Sequence, residues 1–309
     1  MRNDFAPIVR EAMETRAGSF VELIQQARQM LKTENGRLGN FRIFGRHVEI
    51  NSGGQAVIVS DIHGDLESLV QILGHSDIVH RMKKDESLCL IFLGDYGDRG
   101  EFSAEVYYVI LKLKLLYPKQ IILMRGNHEG PMDLLASPHD LPTQFEARFG
   151  KKWHEVYDET IKLFPHMYVS ASVEKRYLII HGGLPQQAQK LEDFAFANET
   201  HPKTSFLEEI LWSDPSEGVN SVCPSPRGAG RYFGNDVTET VLDALDVRIL
   251  IRGHEPCSEG FQISHDGRIL TLFSRKGEPY NNLHGAYLDI TLSDEYPTAN
   301  HLLPCIHQF

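Results

Sequence analysis

Five short apolar runs in this chain each end directly on a cluster of Asp, His, Asn or Arg, and no other feature constrains it as strongly. Ala56–Val59 runs into Ser60-Asp61-Ile62-His63-Gly64, Leu90–Leu93 into Gly94-Asp95-Tyr96-Gly97-Asp98-Arg99-Gly100, and Ile121–Met124 into Arg125-Gly126-Asn127-His128-Glu129. Tyr177–Ile180 precedes His181-Gly182-Gly183, and Arg248–Ile251 precedes Arg252-Gly253-His254-Glu255. Short, continuously apolar runs bounded by turn residues read as buried strands. In α/β folds such strands deliver their loops to one rim of a sheet, where ligands sit. The glycines beside the polar residues let the chain turn sharply and bring backbone close to a ligand.

The remaining sequence frames that sheet. Ile8, Val9, Met13, Val21, Ile24, Ala27 and Leu31 recur at helical spacing and predict an N-terminal helical cap over residues 1–40. Phe41–Ile50 and Gln55–Val59 read as two strands joined by a turn at Asn51-Ser52-Gly53-Gly54. Further helices are expected near 65–76, 102–117, 143–164 and 236–246, with hairpins near 167–180 and 260–273, the second turning at Asp266-Gly267.

Composition excludes several classes. Of 309 residues, 41% are hydrophobic and 24% charged, enough apolar content for a packed core. A net charge of −11 opposes nucleic-acid binding, which relies on Lys and Arg displacing counterions. The four cysteines form no Cys-x-x-Cys pair, which fits a reducing cytoplasm. Met1–Arg10 has no signal-peptide core, and the longest apolar run, Leu88–Leu93, is too short for a bilayer, so neither membrane nor secretion is expected. No Cys-x5-Arg loop and no glycine loop ending in Gly-Lys-Ser/Thr is present, which removes cysteine phosphatases and P-loop enzymes.

Asp, His and Asn without thiolate make a ligand set suited to manganese, iron or zinc. Asp61, His63 and Asp95 can hold one ion, and Asp95, Asn127, His181 and His254 a second, with Asp95 as the bridge. Two ions about 3.5–4 Å apart clamp a phosphate and turn a bridging water into a hydroxide for in-line attack. His128, one residue past Asn127, is placed to protonate the departing oxygen, and Asp98 is its natural partner. Arg99 and Arg227 can grip phosphate oxygens through bidentate hydrogen bonds.

These segments, in this order, resemble those of the phosphoprotein phosphatase (PPP) family, whose signatures read Gly-Asp-x-His-Gly, Gly-Asp-x-Val-Asp-Arg-Gly, Gly-Asn-His-Glu, His-Gly-Gly, Arg-Gly and Arg-x-His. Weaker similarity continues through Leu211–Pro215, Phe233-Gly234 and Leu272–Ser274. The resemblance implies a calcineurin-like metallophosphoesterase fold over residues 41–309: an α/β architecture with a central β-sandwich flanked by helices. It implies two divalent ions (Mn, or Fe/Zn), phosphorylated proteins as substrates, and hydrolysis of phosphoserine and phosphothreonine. Asn127 would also face substrate, and Tyr280 would lean over the site. The sequence departs from the family at Ser60 (usually Gly), Gly97 (usually Val), Gly130-Pro131 and the altered loop Ser274–Tyr280, changes that bear on substrate preference and suggest a prokaryotic branch.

Three alternatives stand beside this reading, one of them a broader metallophosphoesterase, which usually carries Gly-His-x-His where this chain has the single histidine of Gly253-His254-Glu255-Pro256. A diadenosine tetraphosphatase would use the same ligands but usually carries Gly-Asn-His-Asp, where this chain has Glu129. A phosphoprotein-binding scaffold would be expected to lack a ligand, His128 or an arginine, and all are present. His75, His80, His139, His154, His201 and His307 read as surface or helix residues, Trp153, Trp212, Tyr107 and Tyr108 as packing, and Lys112 and Lys114 as a solvated face. Arg125 and Arg252 read as loop supports as readily as substrate contacts.

Overall fold

The computed structural model describes residues 4–309, so the first three residues of the 1–40 segment lie outside it. The described residues form three sheets, one of only three short strands, and the five apolar runs lie in the two larger ones. One has five strands in the order Ile306–Gln308, Ala286–Thr291, Gln55–Val59, Cys89–Phe92, Ile121–Leu123. The other has eight, and its centre runs Ser170–Val173, Tyr177–Ile180, Ile249–Arg252, Ile269–Leu272. The five apolar runs are strands, but they divide three and two between the sheets. Gln55–Val59, Cys89–Phe92 and Ile121–Leu123 pair in parallel in the first, and Tyr177–Ile180 and Ile249–Arg252 pair in parallel in the second. The single rim expected from sequence is therefore shared by two sheets, as a β-sandwich requires.

All five strands are buried along their whole length apart from Gln55, which explains why none alternates apolar with polar residues. Parallel strands need crossovers, and Leu66–His75 and Ser103–Leu116 supply them between the site strands of the first sheet. Helices Ala6–Glu14 and Ala17–Thr33 bury Ile8, Phe20, Ile24, Ala27 and Leu31 in the same apolar core as the first sheet.

Three local readings need correction. Phe41–Ile50 is a hairpin, Phe41–Phe44 against His47–Ile50, because Gly45 adopts a left-handed φ of 55°. The 143–164 helix is two, Leu141–Phe149 and Trp153–Leu163, parted where Gly150 takes φ 56°. Lys114 is not solvated. Its ammonium is buried, ion-paired to Glu34 at 2.8 Å and donating to the carbonyls of Pro118 and Ile121. No helix among the described residues is long and apolar enough to cross a membrane, and the four cysteines are unpaired.

Candidate active site

The loops after the five strands meet in one cluster. Asp95 takes φ 55°, and its carboxylate stands at the centre: Oδ2 lies 3.5 Å from His63 Nε2 and 3.4 Å from His181 Nε2. Oδ1 accepts from the backbone N–H of His128 at 3.0 Å. Glu129 locks this loop to its neighbour, accepting from the N–H groups of Asp95, Tyr96 and Gly126 and from the Tyr107 hydroxyl. Tyr107 therefore does more than pack, because its polar end ties the Ser103–Leu116 helix to the site.

The histidines are held with their free nitrogens inward. His63 Nδ1–H donates to the Gly97 carbonyl at 3.0 Å, and His181 Nδ1–H donates to the Leu93 carbonyl at 3.0 Å. Each therefore turns Nε2 toward Asp95. His254 is turned the other way, with Nδ1 3.1 Å from Asn127 Oδ1 and Nε2 facing Asp214 Oδ1 across 3.8 Å. Asp61 is fully buried, accepts from the His254 N–H and the Ser60 hydroxyl, and lies 3.9 Å from His63 Nε2. Gly253 leaves the room for Ser60: a Cβ there would fall 1.9 Å from Ser60 Oγ.

Two groups of donor atoms share Asp95: His63, Asp95 and His128, and Asp95, His181 and His254. In the first, Asp61 competes with His128 for the third place. His128 Nδ1 lies 2.6 Å from Asp98 Oδ2, and Asp61 Oδ1 lies 3.9 Å from His63 Nε2 at the same site. In the second, Asn127 Oδ1 stands 3.1 Å from both His181 Nε2 and His254 Nδ1, three atoms that can turn toward one cation. The amide can reverse so that its NH2 donates to both histidines and to Asp95, or a cation can occupy the space. The electrostatics favour positive charge. Burial pushes His181 down, yet Asp95, Asp61 and Glu129 outweigh it and raise the imidazole to about 9. Burial pushes the Asp95 carboxyl up, and His181, His128 and His63 reverse this to hold it well below the usual range. Burial, helped by His128 and Arg99 and opposed by Asp95, takes His63 down to about 3 and leaves its imidazole neutral. The donor set thus fits divalent ions of the manganese, iron or zinc type.

Above the cluster lies a cleft of about 400 Å³ whose wall includes His63, Asp95, Asn127, His128 and His254, with Arg99, Arg227 and Tyr280 at its edges. A larger depression of about 810 Å³, lined by Arg37, Phe41, Arg42, Lys175 and Leu245, gathers no such donors, so size does not mark the site. Arg227 is anchored by Nε to Asp214 Oδ2 at 2.8 Å, leaving the rest of its fork for the cleft. Tyr280 packs edge-on against Phe273 (4.9 Å between ring centres) and 5.5 Å from the His63 ring. The altered loop keeps it there through Arg275, whose guanidinium lies 5.6 Å from the Tyr280 ring and donates to the His63 carbonyl. Arg125 and Arg252 do not reach the cleft lining. Arg125 donates to the Glu129 carbonyl and Arg252 to the Gly182 carbonyl and Asp214, so both support loops.

Sequence reasoning missed three residues. Asp214 carries Arg227 and Arg252 and faces His254; its place in Trp212-Ser213-Asp214-Pro215 was the available signal. Trp212, expected to pack, lines the cleft with its ring 5.9 Å from that of His254. His139, expected at the surface, is hydrogen-bonded to Asp98 at 2.8 Å.

Comparison with known proteins places the chain in a family. The calcineurin-like phosphoesterase family pattern matches residues 55–258. The chain is 31% identical over 258 residues to human serine/threonine-protein phosphatase 5, covering 82% of this chain and 48% of that one. It is 30% identical over 257 residues to the PP2A-like serine/threonine-protein phosphatase PPG1 of Candida albicans, covering 82% and 57%. It thus spans about half the length of these curated relatives. A solved serine/threonine phosphatase of Saccharomyces cerevisiae, with similarity to human PP5, superposes with a TM-score of 0.72 at 23% identity, covering 90% of this chain and 83% of that one. That likeness bears on the fold.

Proposed function

We propose that this chain, which belongs to the calcineurin-like phosphoesterases on their phosphoprotein phosphatase branch, removes phosphate from phosphoserine and phosphothreonine in proteins. Its cofactors are two divalent ions, manganese or an iron and zinc combination. The observation that carries this reading is the Asp95 carboxylate set between the free nitrogens of His63 and His181, beside a second His–Asp pair pointed at the same cleft.

Asp61, His63 and Asp95 would hold one ion, and Asp95, Asn127, His181 and His254 the other. When bound, the pair supplies the charge that clamps a phosphate and acidifies a water beside it. The remaining work falls to the protein. Arg99 and Arg227 grip the non-bridging oxygens, and Asn127 turns its amide toward the same phosphate. His128, with Nδ1–H held by Asp98, presents Nε2 to the oxygen that leaves as the alcohol. Burial works against a charged His128, but Asp95 and Asp98 raise its pKa, so it keeps the proton it must donate. Tyr280 covers the metal side of the cleft beside His63.

Phosphoserine and phosphothreonine hold phosphate close to the backbone, so an open cleft at the strand ends reaches it with peptide on either side. The test is kcat/KM on a phosphothreonine peptide beside diadenosine tetraphosphate and a phosphotyrosine peptide. The proposal expects the phosphothreonine peptide to be preferred. Preference for the nucleotide would reject it, and equal turnover of phosphotyrosine would make the enzyme a dual-specificity phosphatase.

A further inference from the structure

Asp98 carries more partners than an acid–base pair needs. Its Oδ2 receives two imidazoles, His128 Nδ1 at 2.6 Å and His139 Nδ1 at 2.8 Å. Its Oδ1 receives the backbone N–H groups of Asp140 and Leu141 at 2.9 and 2.7 Å, at the start of the Leu141–Phe149 helix. The two amides belong to a helix N-terminus, which favours a carboxylate in that place. Burial pushes the Asp98 carboxyl up, but the hydrogen bonds from His128 and His139 outweigh it and hold the group ionised. Behind His139, its Nε2 lies 2.8 Å from the Tyr157 hydroxyl. Tyr157 sits on the Trp153–Leu163 helix, remote in sequence from every metal-ligand loop.

For a neutral imidazole at His139, this arrangement fixes a single direction of hydrogen bonding. Asp98, as a carboxylate, can only accept, so His139 carries its proton on Nδ1. Nε2 then accepts from the Tyr157 O–H. The sequence of bonds is Tyr157 to His139 to Asp98, met from the other side by His128. We infer that His139 is a positioning residue: backed by Tyr157, it fixes the rotation of the Asp98 carboxylate, and so aims His128 at the leaving oxygen. The two backbone amides fix Oδ1 alone. Without His139 the second oxygen keeps a single partner, and water can enter from the side where His139 now stands, so His128 loses a fixed aim. Sharing Oδ2 between two imidazoles also makes it a weaker competitor for the His128 proton, which has to leave toward the substrate.

The inference rests on the proposed phosphatase reading, and its test separates the two. Activity would be measured for the wild type, His139→Ala, His139→Asn and Tyr157→Phe, at equal metal content, on a phosphothreonine peptide and on nitrophenyl phosphate. Nitrophenolate leaves without a proton, so it reports everything except the aim of His128. For His139→Ala the expected result is a fall in kcat of about tenfold or more on the peptide, with KM unchanged and nitrophenyl phosphate within about twofold. Asparagine can return an N–H to Asp98 and should recover most of the loss; Tyr157→Phe should give a smaller fall of the same kind. An equal fall on both substrates, or no fall on the peptide, overturns the inference. A second readout needs no turnover: in metal-free protein, the downfield imidazole N–H proton of His128, identified by its loss in His128→Asn, should shift or broaden in His139→Ala. An unchanged signal overturns the positioning role. If the wild type hydrolyses neither ester, the phosphatase reading fails, while the proton signal still decides for or against His139.

Discussion

Replacing Asp98 by Asn tests the acid–base pair at its hinge. The two backbone N–H groups on Oδ1 cannot move with the side chain, so the amide oxygen must stay with Asp140 and Leu141. The new NH2 then faces two imidazole Nδ1–H groups, donor against donor. The conflict is relieved only if His128 shifts its proton to Nε2 and accepts at Nδ1, which leaves a neutral imidazole, a far weaker acid. Hydrogen bonds involving a charged partner are worth about 1.5–3 kcal/mol, and about 1.4 kcal/mol is tenfold in rate. We therefore expect kcat on a phosphothreonine peptide to fall by about 10–100-fold, less than the roughly 10²–10⁴-fold expected for His128→Asn. Nitrophenyl phosphate should be hurt much less. The pH profile carries a sign: burial lowers His128, Asp95 and Asp98 raise it, and removing one raising charge brings the pKa down. The basic limb of kcat should move to lower pH in Asp98→Asn. Metal content should not change, since Asp98 is outside both ligand groups. A limb moving upward, or equal losses on both substrates, would refute the assignment of His128 as the acid.

Two further predictions lie outside that pair. His47 is fully buried between Ser170 and Ser172, and burial lowers its pKa from 6.5 to about 3. Below 6.5 the unfolded chain takes up a proton that the folded chain refuses, so stability falls as pH drops from 6.5 toward 3, by about 1.4 kcal/mol per pH unit. Urea midpoints of metal-free protein between pH 7.5 and 4.5 should decline less steeply for His47→Gln than for wild type, and parallel curves would contradict the reading. Gly126→Ala places a Cβ 2.1 Å from Asp95 Oδ1 and 2.4 Å from the Asp95 nitrogen, so it should displace the Asp95 carboxylate and abolish metal retention. Overpacking of this kind costs about 1–3 kcal/mol, measurable by calorimetry, whereas Gly18→Ala, with open space around it, should change neither stability by much nor metal content.

The site strands were legible because each is short, buried on both faces and stopped by glycine and polar residues. The meeting of Asp61, His63, Asp95, Asn127, His181 and His254 followed from their positions just past those strands. Their division between two sheets was not legible, since which strands pair depends on contacts far apart in sequence. Gly45 did carry a signal, a glycine where Phe41–Ile50 would otherwise run straight, but the surrounding β-branched and aromatic residues masked it. Lys114 could not be read from its helix, because what draws it inside is Glu34, 80 positions earlier in the chain. His139 and Tyr157 were hidden for the same reason: nothing local ties them to Asp98, and only the packing of the Leu141–Phe149 and Trp153–Leu163 helices brings them there.

The central claim is a dinuclear metal centre bridged by Asp95, and the most direct measurement is a calorimetric titration of metal-stripped protein with manganese, run beside peptide hydrolysis. The account predicts two ions per chain, activity that returns only as both bind, and loss of affinity at both places in Asp95→Asn, because one carboxylate serves the two groups. A single ion per chain, full activity in chelator-treated protein, or an Asp95→Asn variant weakened at one place alone would contradict it.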